Sequence, residues 1–217
     1  MVIGILSVLL AIVLPIPRMV RTAALKKRAK AEATALAQAA IRYKAEYNFW
    51  PGERIPSPGN PLLTDPHPDL TAQDKIIGVI VSGPREFTEN IQARGGSSLD
   101  ILRLNTNEVY RAFSMVGYPQ GDGYDINPLN PKAIPFLELK NETDFNIVSY
   151  PDPWGQPYRI VMGLNPKSRF EFTVTAANDP NTILHYVAVS NVTAFAFSIG
   201  TGLRGNTNYI YSAGVGL

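Results

Sequence analysis

The chain has 217 residues, enough for one domain with a buried core plus an appended segment. It has no cysteine, which excludes disulfides and thiolate metal sites, and its composition is otherwise ordinary at 45% hydrophobic and 18% charged. A net charge of +2 is too small for a nucleic-acid-binding domain, which would cluster Lys and Arg among aromatic residues.

The charge is divided unevenly. Residues 1–50 carry eight Lys or Arg and two Glu, a local +6, and the remainder carries twelve basic and sixteen acidic residues, a local −4. That asymmetry predicts a basic stem beside a membrane or an acidic neighbour, and a mildly acidic head.

In chain order, Met1–Pro17 is an uncharged apolar run, at the lower limit of the roughly 17–25 residues that span a bilayer. It lacks the basic start and small-residue cleavage site of a secretory signal, so it reads as an anchor. Residues 1–48 read as a single helix, loosened at Pro15 and Pro17. Positions 23–46 are dominated by Ala, Leu, Lys, Arg, Glu and Gln, all good helix formers. Leu36, Ala40, Tyr43 and Tyr47 recur with helical spacing and mark an apolar stripe that would pack on the domain's own sheet, on neighbouring subunits, or on both. Trp50-Pro51-Gly52 ends the helix.

The proline-rich stretch 52–75 is expected as extended loop with few fixed hydrogen bonds. His67 lies there between two prolines, flanked by Asp65 and Asp69 without a second His, and is expected to be solvated. Short helices are expected near Ile76–Val81 and over Glu108–Met115, the latter capped by Asn105 or Thr106. Ile134–Leu139 is an apolar run of either strand or helix type. From Phe145 onward the pattern turns to strands: Tyr158–Met162, Phe170–Thr175, Tyr186–Ser190 and Ala194–Ile199 are aromatic and β-branched runs separated by Gly, Pro and Asn. The expected fold is therefore α+β: a long N-terminal helix whose upper half packs on a C-terminal antiparallel sheet of residues 145–211. Four regions follow: an apolar stem (1–22), an amphipathic upper helix (23–51), a loop-rich insert with short helices (52–145) and a sheet head (146–217).

Chemistry-bearing motifs are scarce. There is no Gly-x-Ser-x-Gly, no P-loop lysine and no His-Glu-x-x-His, and Gly95–Ser98 has no following Lys to hold a phosphate. His185 opens a strand, and the two Asn-x-Thr sequons at Asn141 and Asn191 are read as chance. No catalytic residue, and no enzymatic activity, is expected.

One stretch is distinctive. Asp152-Pro153-Trp154-Gly155-Gln156-Pro157-Tyr158 makes a turn directly before a strand: Pro153 fixes φ, Gly155 permits positive φ, and Trp154 adds an apolar lid. Taken with the apolar run closing on Pro15 and the aromatic exit Tyr43–Pro51, this resembles the type IV pilin-like family, most closely the major pseudopilins of type II secretion. The glycine-rich Phe197–Gly205 stretch is similar to that family's last strand and loop. The likeness covers residues 1–51 and 149–205.

The resemblance implies a lollipop-shaped structural subunit that polymerises through its N-terminal helix into a filament supporting protein export. It would be anchored once in a bacterial inner membrane, with the head in the periplasm and other pseudopilins and inner-membrane secretion components as partners. It implies Pro15, Leu36, Tyr43, Tyr47, Trp50, Pro51, Asp152, Pro153, Trp154, Gly155, Pro157 and Tyr158 as assembly or structural residues. The alternatives are a minor pilin-like subunit for adhesion or DNA uptake, and an anchored extracytoplasmic binding protein that does not polymerise.

The chain departs from the family in three ways. Aligning Pro15 with the family's proline places the leader, the processing site and the acidic residue upstream of Met1, and a basic leader there would send the head outward. Thr201–Asn208 has no carboxylate and carries Arg204, so the calcium that such loops bind is not expected, nor is any other cofactor. Asp122 and Asp125 offer two carboxylates for calcium elsewhere, though a glycine turn explains them as well. Finally, segment 52–145 is long for a major subunit.

Overall fold

The structure is a computed structural model that describes residues 16–57, 60–66, 68, 76–79, 87–93, 101–104, 106–117, 127–144, 147–164, 169–176, 179–198, 200 and 210–211. It is of mixed class: one N-terminal helix packs on small, largely antiparallel sheets.

Helix α1, Ile16–Tyr47, is 32 residues long, about 48 Å at 1.5 Å per residue. It stops where the sequence says it should. Asn48 takes φ 64° at the helix end and donates to the Lys44 carbonyl at 2.9 Å. Trp50-Pro51-Gly52-Glu53 then forms a turn, with Gly52 at φ 83° and Glu53 N–H donating to the Trp50 carbonyl at 3.0 Å. Pro15 lies outside the described residues. Among the described residues, no helix is long and apolar enough to cross a membrane.

Strands β1 (Arg54–Ser57) and β2 (Asn60–Pro66) pair as an antiparallel hairpin. This corrects the expected unpaired loop. Each strand of a two-stranded ribbon has one unpaired edge, so prolines, which lack an N–H, are tolerated there.

The main sheet has five strands in the order β12-β11-β8-β3-β5, built from β3 (Ile76–Val79), β5 (Ile101–Leu104), β8 (Arg159–Met162), β11 (Ala194–Ser198) and β12 (Ile210–Tyr211). Ile76–Val79 is thus a strand and not the expected helix: its β-branched residues pair antiparallel with Ile160–Met162 and parallel with Ile101–Leu104. Four apolar residues are too few for periodicity to separate helix from strand, and the neighbouring strands decide. The sheet is therefore mixed and draws strands from both sides of residue 145, where a purely C-terminal antiparallel sheet and an irregular insert were expected.

A second sheet orders β10 (Asp179–Ser190), β9 (Arg169–Ala176) and β4 (Phe87–Ala93), all antiparallel. Strands β6 (Asn141–Asp144) and β7 (Ile147–Ser149) form a small hairpin. Helix α2, Thr106–Phe113, matches the expected helix of that region; Asn105, one of its two suggested caps, lies outside the described residues. Ile134–Leu139 is neither strand nor helix; the Ile134 backbone is held by the Asn130 side chain, as described below.

The upper part of α1 lies against β8, β11 and β12. Ala33, Leu36, Ala37, Ala40 and Tyr43 meet Tyr158, Ile160, Met162, Ala194 and Ala196 in one core, which also takes in Val109, Tyr110 and Phe113 of α2. Alanines on both surfaces bring helix and sheet backbones close, and the aromatic side chains fill the remaining space.

Candidate functional site

Tyr43, Tyr47 and the 152–158 turn, singled out in the sequence, lie where α1 meets the sheets, in three groups. The first is the turn. Asp152 is 4% exposed, and its Oδ1 accepts the N–H groups of Trp154 at 2.9 Å and Gln156 at 2.8 Å. Its backbone N–H donates to the Gln156 carbonyl at 2.7 Å, and Gly155 N–H donates to the Asp152 carbonyl at 3.0 Å. Pro151 and Pro157 close the turn as a bridge pair, and Gly155 sits at φ 84°, a conformation costly for any residue with a Cβ. Asp152 Oδ2 accepts the Ser198 hydroxyl, whose oxygen in turn accepts Gly200 N–H at 2.9 Å. One buried carboxylate therefore folds its own turn and fastens it to the end of β11.

The second group joins this turn to α1. Tyr158, immediately after the turn, is fully buried, and its hydroxyl lies 2.7 Å from Glu32 Oε2 and 3.2 Å from the Ala29 carbonyl. Lys140 Nζ reaches the same Glu32 oxygen at 2.6 Å and also donates to the Pro151 carbonyl. The ammonium stands 4.6 Å from the Tyr150 ring centre and 5.8 Å from that of Tyr158, close enough for cation–π attraction. Arg28 Nε pairs with Glu32 Oε1 at 2.9 Å, one helical turn below. Burial by itself would raise the Glu32 carboxyl pKa, but the donors Lys140, Tyr158 and Arg28 outweigh it and hold the pKa below its ordinary value. Burial raises Tyr158, reinforced by the Glu32 carboxylate that accepts its proton, and pushes Tyr150 up to about 12, so both phenols stay protonated donors.

The third group is aromatic. Tyr43 is fully buried and donates to the Leu129 carbonyl at 2.6 Å; Tyr47 donates to Asn130 Oδ1 at 2.8 Å. The Tyr43 ring contacts those of Tyr47, Phe49, Phe113 and Phe136 at 4.8–6.1 Å between centres, mostly edge to face. Asn130 donates to the Ser114 and Ile134 carbonyls and accepts Ile134 N–H; Asn127 donates to the Arg111 and Ser114 carbonyls. Asn127 ties segment 127–136 to the end of α2, and Asn130 satisfies both backbone groups of Ile134 without a ladder.

Leu36 and Pro51 are buried, and Trp50, Pro153, Trp154 and Pro157 are half-buried. Asp122, Asp125, His67 and the loop 201–209 lie outside the described residues. Among the described residues, no three acidic or His side chains gather as metal ligands. An open groove of about 630 Å³ runs beside α1, between Ala35, Gln38, Ala39 and Arg42 on the helix and Pro135–Lys140 opposite.

Sequence reading missed Glu32, Lys140, Asn127, Asn130 and Ser198. Glu32 did carry a signal: it is the first acidic residue of the chain, set in a basic stretch. The other four became legible only once the fold brought residues 11 to 108 positions apart into contact. Compared with known protein families, characterised proteins and solved structures, the chain finds no match.

Proposed function

We propose that this chain is a structural subunit that stands in a membrane by its N-terminal stem and polymerises stem to stem, in the manner of the pseudopilins it resembles, as part of a secretion or related pilus-like filament. The observation that carries the reading is the division of α1. From Ala29 upward the helix is packed into the head; over Val20–Ala24 every side chain is exposed, and Lys27 and Arg28 are exposed as well. A helix of roughly three free turns is marginal in water, so the lower stem calls for lipid or other stems around it. Stem-to-stem packing of this kind is heterologous and builds an open helical assembly. The network around Asp152, Glu32 and Tyr158 has a matching role: it fixes the head rigidly on the stem, so that subunit spacing would be transmitted to the filament.

The absence of cysteine makes the test clean. The double variant Ala23→Cys, Leu25→Cys in the full chain, whose two thiols lie about 200° apart around the helix and can each bond a different neighbour, is expected on oxidation in native membranes to give a ladder of crosslinked multimers. Monomers alone, or a band that stops at the dimer, would overturn polymerisation. The groove beside α1 favours a second reading, an anchored binding protein, and a monomer-only result would leave that one standing.

A further inference from the structure

The chain carries an open groove and, lower on the same helix, a bare face of similar length. The groove, about 630 Å³, runs beside α1 from Glu32 to Arg42, about 15 Å of axis. Its walls are largely apolar: Ala35 and Ala39 on the helix face Phe136 and Leu139. Lys140 is held by Glu32, and the Phe136 ring lies against that of Tyr43. Segment 136–140 therefore runs down the helix, and Glu138 stands near the level of Gln38. Arg42 lies 6.0 Å from the centre of the Phe136 ring. Glu138 is exposed, and among the described residues no cation pairs with it.

The bare face belongs to the lower stem. At about 100° per residue, Val20, Ala23, Ala24, Lys27 and Ala31 fall within an arc of about 100°, and the buried Ala29 points the opposite way. All five are exposed, on the side of the helix turned away from the chain's own head. They extend over about 16 Å of axis. Lys27 is the one cation of this face, and among the described residues no carboxylate meets it; Glu32 is taken by Arg28 and Lys140. Groove and face thus match in length, in apolar character and in one complementary charge.

We propose that the groove receives the lower stem of a second copy of this chain, with Lys27 of that copy against Glu138. The proposal rests on the filament reading and adds which surface of its neighbour a stem occupies. A helix that lays an apolar face into a groove is a recurring mode of recognition. Lys27 reaches the level of Gln38 when the second copy stands about 16 Å higher, close to three whole turns, so the faces stay in phase. Ala24 then comes level with Ala35, and Ala31 with Arg42, where a small side chain leaves room for the guanidinium. Arg21 and Lys30 flank the buried arc. The docked copy presents its own groove to the next stem, so the contact does not close on itself.

The test uses the full chain with Ala24→Cys and Leu139→Cys, oxidised in native membranes. Within one chain the two thiols cannot meet: Ala24 lies about 12 Å of axis below Glu32, where Lys140 is held, and a disulfide needs Cα atoms within about 7 Å. The expected result is a ladder of multimers beyond the dimer. Glu138→Lys and Lys27→Glu, each added alone, should lower its yield at least about fivefold, and the two together should restore it to within about twofold. A ladder from the Ala23→Cys, Leu25→Cys chain with none from this one would overturn the groove contact while leaving polymerisation intact. A ladder indifferent to either charge reversal, or reversals that do not rescue each other, would overturn the contact too. A band that stops at the dimer would do the same. Monomers alone from both chains would remove the filament and the contact together.

Discussion

The two halves of α1 are built from the same kinds of residue but held by different forces. Above Ala29, alanines alternate with Leu36, Ile41 and Tyr43 against β8 and β11, and the stripe is buried as far as Tyr43, with Tyr47 half-buried. Below it, Val20 is 62% exposed and no side chain from Arg21 to Ala24 is covered. Helix propensity is shared by both halves, so it cannot explain the upper half's place in the core; burial does. Propensity by itself supports only marginal helix in water, so the lower half depends on what surrounds it. On the proposed filament reading, a subunit with one end fixed and one end bare would carry its head on a stem whose surroundings change from lipid to protein.

Matched substitutions in the two halves should break this comparison if it is wrong. The largest effect is expected for Tyr43→Ala in the upper half: about 3–5 kcal/mol of destabilisation, from the lost aromatic contacts and the cavity left behind. Denaturant unfolding of the full chain in detergent measures it, and a cost below about 1 kcal/mol would mean that the upper half is not part of the core. Next is Asp152→Ala, expected to cost about 3 kcal/mol, because two backbone N–H groups and the Ser198 hydroxyl lose a charged acceptor in a buried setting. Asp152→Asn should recover part of this, since it keeps one acceptor oxygen.

Glu32→Gln sharpens the boundary between the halves, with an expected cost of about 1–2 kcal/mol at neutral pH. The sign of its pH dependence follows from a folded pKa held below the ordinary 4.5. The stability contributed by the carboxylate is fully present above the unfolded value and is lost as pH falls through the folded one. The difference between the parent and Glu32→Gln should therefore shrink below about pH 4.5; a difference constant from pH 7 to pH 3 would count against the network. Gly155→Ala is expected to cost about 1 kcal/mol. Nothing lies within 4 Å of an added Cβ, so the cost is backbone strain at positive φ and not crowding. Smallest of all, Val20→Ala in the lower half should change head stability by no more than about 0.5 kcal/mol, while substitutions there alter crosslinking.

The sequence alone determined the elements whose signal is local. The helix and its end near Asn48 follow from propensity and from Trp50-Pro51-Gly52; the 152–158 turn follows from Pro153 and Gly155; β8, β9, β10 and β11 follow from aromatic and β-branched runs. Leu36 and Tyr43 were placed in the core by spacing of 3.6 residues per turn. What the tertiary structure decided is everything that depends on a partner distant in sequence. Ile76–Val79 became a strand because Ile160–Met162 and Ile101–Leu104 offered it a ladder on each side. Pro56, Pro61 and Pro66 entered a hairpin because a two-stranded ribbon leaves an edge where no N–H is required. Glu32 became the fastening between stem and head because the fold delivers Lys140 and Tyr158 to one carboxylate from more than a hundred residues away. Short-range sterics and periodicity are written into neighbouring residues, whereas strand partners and charge partners are selected only when chain closure brings distant segments together.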